Sequence, residues 1–266
     1  MGRRKNPDLS DYRRLGAKVK LTMLGWPVNV WCFSQGFLGV IFISQMFGPA
    51  RFISVEGGEG TGKSVFTSGF AKMLRALGTT VVTTREPGGT AVADQIRAIF
   101  AAPPPGEALT PTTEALLVSA ARSQHLHYLI RPALARGDWV LCDRFADSTR
   151  VYQGTFGGVP AAELEALIAF STGGQAPDLT FILDCPVELA LSRVKERGVG
   201  HATEPGVGTV DRYDLATAAV HERMRAGYLQ LLAANPERCI RIDAAQSPEQ
   251  MLSAAKAALE GRFGKH

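Results

Sequence analysis

From Arg51 onward, short runs of nearly continuous apolar residues alternate with longer stretches whose apolar positions recur at helical spacing. The runs are RFISVE (51–56), TVVTT (80–84), WVLCD (139–143), LTFILD (179–184) and CIRID (239–243). Apolar continuity of this kind predicts strands buried on both faces. Between them the spacing predicts helices over 63–77, 91–100, 112–136, 161–171, 187–197 and 212–234, with a last one after Ser247. Gly78 and Gly137 follow predicted helix ends, and Pro186 and Pro248 sit where a first helical turn tolerates proline. Strand and helix in alternation give a parallel sheet covered by helices on both faces, in one α/β domain. PPPG at 103–106 and the glycine-rich 198–208 read as loops, and no internal repeat is visible.

The first fifty residues follow a different pattern. Residues 1–20 carry seven Lys/Arg against Asp8 and Asp11, a net +5, whereas the whole 266-residue chain is only +4. The body is therefore close to neutral, at −1, and lacks the electrostatic footprint of a nucleic-acid binder despite a pI near 9.0. From Leu21 to Ala50 there is no ionisable Asp, Glu, Lys, Arg or His, and 36–47 is strongly apolar. Length alone would allow a membrane span, but Pro27, Asn29, Ser34, Gln35, Ser44 and Gln45 interrupt the apolarity. The basic N-terminus would also hold that end inside and export everything after it. Three readings of residues 1–45 stand: a reading frame extended upstream of a start at Met46, a peripheral or targeting extension, and a span. Residues 46–266 are taken as the functional domain. The four cysteines, Cys32, Cys142, Cys185 and Cys239, form no CxxC pair, and three lie in or beside predicted strands, as buried reduced thiols of a reducing cytosol do.

The chemistry begins where the first strand of the body ends. Gly57, Gly58, Glu59, Gly60, Thr61, Gly62, Lys63 and Ser64 fit G-x-x-x-x-G-K-[ST], with a buried strand before and a helix after. The glycines let backbone N–H groups turn inward around phosphates, and the helix N-terminus adds partial positive charge. Lys63 is placed for the β- and γ-phosphates of ATP and Ser64 for magnesium. An exported domain would have no ATP, so a cytoplasmic location is expected and a cleaved signal peptide is not.

Further motifs follow in order: TREPGG (84–89), AARSQH (120–125), DRFADSTRVYQG (143–154), PDLTFILD (177–184) and DRYD (211–214). With the phosphate loop, this set resembles the bacterial thymidylate kinases over nearly all of 51–260. The resemblance implies a three-layer nucleoside-monophosphate-kinase fold with strand order 2-3-1-4-5, transfer of a phosphoryl group from ATP to dTMP, and a homodimer. It also implies that Arg97 and Arg144 hold the acceptor phosphate, that Arg122 bonds the thymine edge, and that Thr149 and Gln153 contact the base. Tyr152 matches a residue crowding the ribose 2′ position, while Glu59 and Glu86 match acidic positions near the acceptor's sugar and phosphate. Asp143 can act on magnesium, directly or through water. Asp147 and Ser148 read equally well as helix or turn caps.

Two departures from the family pattern carry expectations. The phosphate loop has Gly60 where an arginine can stand, so charge is expected from the lid, about 193–212, with Arg193, Arg197 and Arg212 as candidates. Four residues before Arg122 stands Val118 instead of a phenylalanine that stacks on thymine. Weaker acceptor binding, or a neighbour filling the space, is expected. A kinase of another pyrimidine monophosphate and a non-catalytic nucleotide-binding relative are the alternatives; retained Lys63, Ser64, Asp143 and Arg144 speak against the second.

Overall fold

A computed structural model describes residues 50–200 and 217–264, together with two short strands ahead of them, and the side chains of 197–200 are not described. The early strands, β1 (Lys18–Met23) and β2 (Trp26–Trp31), form an antiparallel hairpin that the sequence pattern had not suggested. The apolar run at 36–47 lies outside the described residues. Among those described, no helix is long and apolar enough to cross a membrane.

The body is built on a five-stranded, all-parallel sheet of β3 (Phe52–Glu56), β4 (Val81–Arg85), β5 (Trp139–Asp143), β6 (Leu179–Asp184) and β7 (Cys239–Asp243). Its order is β4-β5-β3-β6-β7, the 2-3-1-4-5 arrangement implied by the resemblance. Every residue of β3 and β6 is buried, as their apolar continuity requires. The helices are α1 (Lys63–Ala76), α2 (Ala91–Ala101), α3 (Pro111–His125), α4 (Arg131–Ala135), α5 (Ala146–Thr149), α6 (Ala161–Thr172), α7 (Val187–Gly200), α8 (Ala218–Ala234) and α9 (Pro248–Phe263). On one face of the sheet Phe66 and Phe70 of α1 pack against Phe181, with ring centroids 5.6 and 5.3 Å apart. On the other, Phe52 meets Phe145 edge-to-face at 4.9 Å.

Two differences from the predicted pattern bear on the site. The predicted 112–136 helix is divided by a π-helical turn, Leu126–Ile130, just before Pro132. Proline has no N–H for the preceding turn and its ring crowds the carbonyl four residues back, so the ladder slips by one. After β5 the chain forms α5 and a second π-helical stretch, Arg150–Phe156, where no helix was expected. Residues 212–216, predicted to begin a helix, lie outside the described residues; α8 begins at Ala218.

Candidate active site

β3 ends at Glu56, and the chain turns through six residues into α1 with Gly57, Gly60 and Gly62 at φ of 142°, 74° and 87°. A Cβ at Gly60 would stand 2.1 Å from the Ala190 carbonyl oxygen of α7. The packing of α7 on the loop therefore leaves no room for an arginine there. Thr61 closes the loop by donating to the Gly58 carbonyl at 2.9 Å. Lys63 is buried and its Nζ donates to the carbonyl oxygens of Gly57 (3.1 Å) and Gly58 (2.7 Å). Burial, and then the nearby Arg144 guanidinium, hold the Lys63 ammonium below its ordinary pKa.

Arg144 follows β5 at φ 69°, a left-handed conformation that a non-glycine residue adopts only where its surroundings impose it. Its own N–H donates to Val55 (2.9 Å), and the next, that of Phe145, donates to the Glu56 carboxylate (2.7 Å). Thus held, the guanidinium enters the cavity beside the phosphate loop. Nη1 donates to Gly57 O (3.0 Å), Tyr228 Oη (3.1 Å) and Ser148 Oγ (3.2 Å); Nη2 donates to Glu59, and the group lies 4.9 Å over the Tyr152 ring. The Gly57 carbonyl oxygen therefore receives hydrogen bonds from both Lys63 and Arg144.

Behind this pair, Glu56 is fully buried and accepts from Ser148 Oγ at 2.6 Å. Burial, reinforced by Asp147, pushes its pKa from the ordinary 4.5 up to about 7. The folded protein then binds more protons at this group than the unfolded chain between those two values, so stability falls as pH rises across that window. Glu56→Gln should abolish this contribution, of order about 3 kcal/mol at most. Urea unfolding at pH 5 and pH 8 checks it: the wild type should lose more stability between the two than the variant.

Away from the phosphate loop, one cavity of about 640 Å3 continues toward α3. Arg122, 1% exposed, donates through Nε to Glu86 (2.8 Å) and through Nη2 to Thr149 (2.8 Å). Its Nη1 is buried with no hydrogen-bond partner among the described residues. Thr149, Tyr152 and Gln153, at i, i+3 and i+4, all line the cavity. Tyr152 donates to Glu59 (2.9 Å), and Gln153 to Glu114 of α3 (2.9 Å). Val118 lines the same wall, and Phe100 of α2 joins it in the same buried apolar cluster.

The sequence-predicted residues thus converge on one cavity with few exceptions. Glu86 lines it as well, with its two carboxylate oxygens engaged by Arg122 and His125. Arg97 lines the cavity and donates to Pro87 O (3.1 Å). Arg193 lies at another edge of the cavity, beside Gln246 and Pro248, and donates to Ala244 O (2.8 Å). The Arg197 side chain and Arg212 lie outside the described residues. Three cavity-lining positions were passed over in the sequence, Arg85, Phe100 and Ser148, and two more stand behind the lining, His125 bonded to Glu86 and Tyr228 to Arg144. Arg85 and His125 stood inside quoted motifs, and Ser148 stands one helical turn from Arg144; Phe100 and Tyr228 had no local signature.

Magnesium passes a simple test of fit. Ser64 and Asp143 both line the cavity at the loop, and Asp143 Oδ1 is buried without a hydrogen-bond partner among the described residues. A hydroxyl and a carboxylate beside nucleotide phosphates are the oxygen donors magnesium takes, with water completing its shell. Among the described residues there is no cluster of three or more His, Cys, Asp or Glu that would hold a metal without such phosphates.

Comparison with known proteins gives a consistent result. A family model described as thymidylate kinase matches residues 55–255. A thymidylate kinase of Bradyrhizobium diazoefficiens is 41% identical over 221 residues, 83% of this chain and 93% of its own. One of Caulobacter vibrioides is 45% identical over 213 residues, 80% of this chain and 97% of its own. One of Pseudomonas fluorescens is 47% identical over 195 residues, 73% of this chain and 88% of its own.

Proposed function

Because the chain belongs to the thymidylate kinase family, we propose that it transfers the γ-phosphoryl group of ATP to dTMP in dTTP synthesis, with magnesium as its metal. An oxygen of the dTMP phosphate forms the new bond to the γ-phosphorus as the bond to the β-phosphate bridging oxygen breaks, and ADP leaves with that electron pair. The observation that carries this reading is the Gly57 carbonyl oxygen bonded by two cations on different elements. Lys63 is placed for the donor phosphates and Arg144 for the acceptor phosphate, so both ends of the transfer meet at one loop. Held through Ser64 and Asp143, magnesium would neutralise charge on the donor phosphates. Arg97 supplements Arg144, while Arg122 Nη1 and Gln153 face the base and Tyr152 the sugar. A coupled ADP-release assay with dTMP, dUMP and UMP tests the assignment. Highest kcat/KM on dTMP is expected; faster turnover of another monophosphate would overturn it.

Phe100 supplies the apolar wall that Val118 leaves incomplete. Phe100→Leu should raise the dTMP KM several-fold at unchanged kcat, in line with the loss of about 1 kcal/mol of ring contact. Val118→Phe should not tighten dTMP binding, because Phe100 already stands at this wall and a second ring would take cavity volume that the base needs. Steady-state kinetics on both variants decides it; tighter binding in Val118→Phe would show that the space is open.

Residues 46–266 form the cytoplasmic kinase domain in this reading, and 1–45 an extension it does not need. A chain beginning at Met46 should retain full activity, and an N-terminal mass measurement on the native protein identifies its start. A homodimer is also proposed: neighbouring helices α2, α3 and α6 expose Ile99, Leu116 and Phe170, the last 88% exposed. Sedimentation equilibrium tests it.

A further inference from the structure

A buried hydrogen-bonded chain runs behind the acceptor end of the cavity. Thr84 Oγ1 lies 2.7 Å from His125 Nε2, His125 Nδ1 lies 3.0 Å from Glu86 Oε1, Glu86 Oε2 accepts from Arg122 Nε at 2.8 Å, and Arg122 Nη2 donates to Thr149 Oγ1 at 2.8 Å. It joins β4, the loop after it, α3 and α5. His125 is fully buried and Glu86 nearly so. The backbone closes around the link: a Cβ at Gly89, φ 87°, would lie 2.6 Å from both His125 Nε2 and Thr84 Oγ1.

Each member limits the next. The Glu86 carboxylate can only accept, so Nδ1–H donates to it whichever way the Thr84 hydroxyl turns at Nε2, and that bond fixes the plane of the Glu86 carboxylate. The fixed carboxylate accepts from Arg122 Nε, and Thr149 takes Nη2. Two of the three guanidinium nitrogens are then committed, and the third, Nη1, stays buried and unpartnered. A long arginine side chain would otherwise spread over many rotamers, and a buried donor that must meet a ligand acceptor is sensitive to such spreading.

From this geometry we infer that His125 is a positioning residue for acceptor recognition: through Glu86 it holds the Arg122 guanidinium so that Nη1 alone remains for the acceptor's base. The inference rests on the assignment of this end of the cavity to the dTMP base. His125 touches neither substrate and acts only through Arg122, so its loss should appear in the dTMP KM and not in the ATP KM or kcat.

The test is steady-state kinetics on the full chain with His125→Leu, His125→Asn, Arg122→Gln and the His125→Leu/Arg122→Gln double variant, with thermal melts. His125→Leu should raise the dTMP KM by about tenfold, the scale of one hydrogen bond to a charged group, at unchanged kcat and ATP KM. Asparagine can present an amide N–H near the Nδ1 position and should recover most of that loss. In the double variant, His125→Leu should add nothing to Arg122→Gln. A wild-type dTMP KM in His125→Leu, or equal effects on both substrates, would overturn the inference. If Arg122→Gln itself leaves the dTMP KM unchanged, the base-end assignment fails instead. Should His125→Leu not fold, Thr84→Val serves in its place: a higher dTMP KM at constant kcat supports the inference, and an unchanged KM overturns it.

Discussion

Replacing Lys63 with alanine is expected to abolish turnover while dTMP still binds. Lys63 begins α1, and its Nζ is engaged by the Gly57 and Gly58 carbonyls at 3.1 and 2.7 Å. Donor phosphates entering the loop would take that ammonium over and draw on it more strongly as charge builds on the transferring group. An interaction that strengthens in the transition state appears in kcat, and losing such a contact costs about 10^2- to 10^3-fold or more. Among the described residues, the hydrogen bonds of Lys63 Nζ stay within the phosphate loop. Burial, and after it the Arg144 guanidinium, depresses the Lys63 pKa, so the two positive charges repel. Removing one leaves the other at least as available to a phosphate, and dTMP affinity should be unchanged or slightly higher. Titration calorimetry with dTMP, beside single-turnover kinetics, checks both halves; an equal loss of dTMP affinity would sink the division of labour between the two cations. Lys63→Met, which keeps most of the buried stem, separates the loss of charge from the cavity that alanine leaves.

Much of this site was legible in the sequence because the chemistry is carried by short motifs at strand ends. In a parallel sheet all carboxyl ends lie on one edge, so GGEGTGKS after β3, TREPGG after β4 and DRFADS after β5 had to converge once the strands were recognised. The three strands 139–143, 179–184 and 239–243 were predicted to the residue, since continuous apolar runs bounded by charge or proline leave little choice of boundary. What stayed hidden depends on contacts between distant elements. Tyr228 follows β3 by more than 170 residues, and nothing local marks it as a partner of Ser148 and Arg144. Ser148 looked like a cap because serine caps are common, but tertiary packing turned its hydroxyl to Glu56. Similarly, Val118 reads as a missing ring until α2 is seen to bring Phe100 to the same wall. Nor does TREPGG by itself show that the Glu86 carboxylate meets Arg122 and His125 of α3.

Arg144→Ala is expected to lower kcat and raise the dTMP KM together. Its guanidinium is side by side with the phosphate loop, bonded to Gly57 O and Glu59, and its left-handed backbone is held by the Val55 carbonyl and by Glu56 through the adjacent Phe145 N–H. A surface ion pair would need none of this support and would contribute only about 0–1 kcal/mol to stability. A cation held at the junction of donor and acceptor meets charge that is greatest in the transition state, so its loss should cost several kcal/mol in kcat/KM. On the proposed assignment, Glu59 has to yield Arg144 to the incoming phosphate, so one ion pair would be exchanged for another during turnover. Lysine should rescue only in part, because a point charge cannot bond Gly57 O, Ser148 and a phosphate with one planar fork. Alanine also removes one of the cations beside Glu56 and Glu59, so thermal melts must accompany the kinetics to separate lost chemistry from lost folding. If Arg144→Ala turns over dTMP near the wild-type rate at a temperature where it is folded, the acceptor-phosphate assignment is wrong and Arg97 or Arg85 must carry that role.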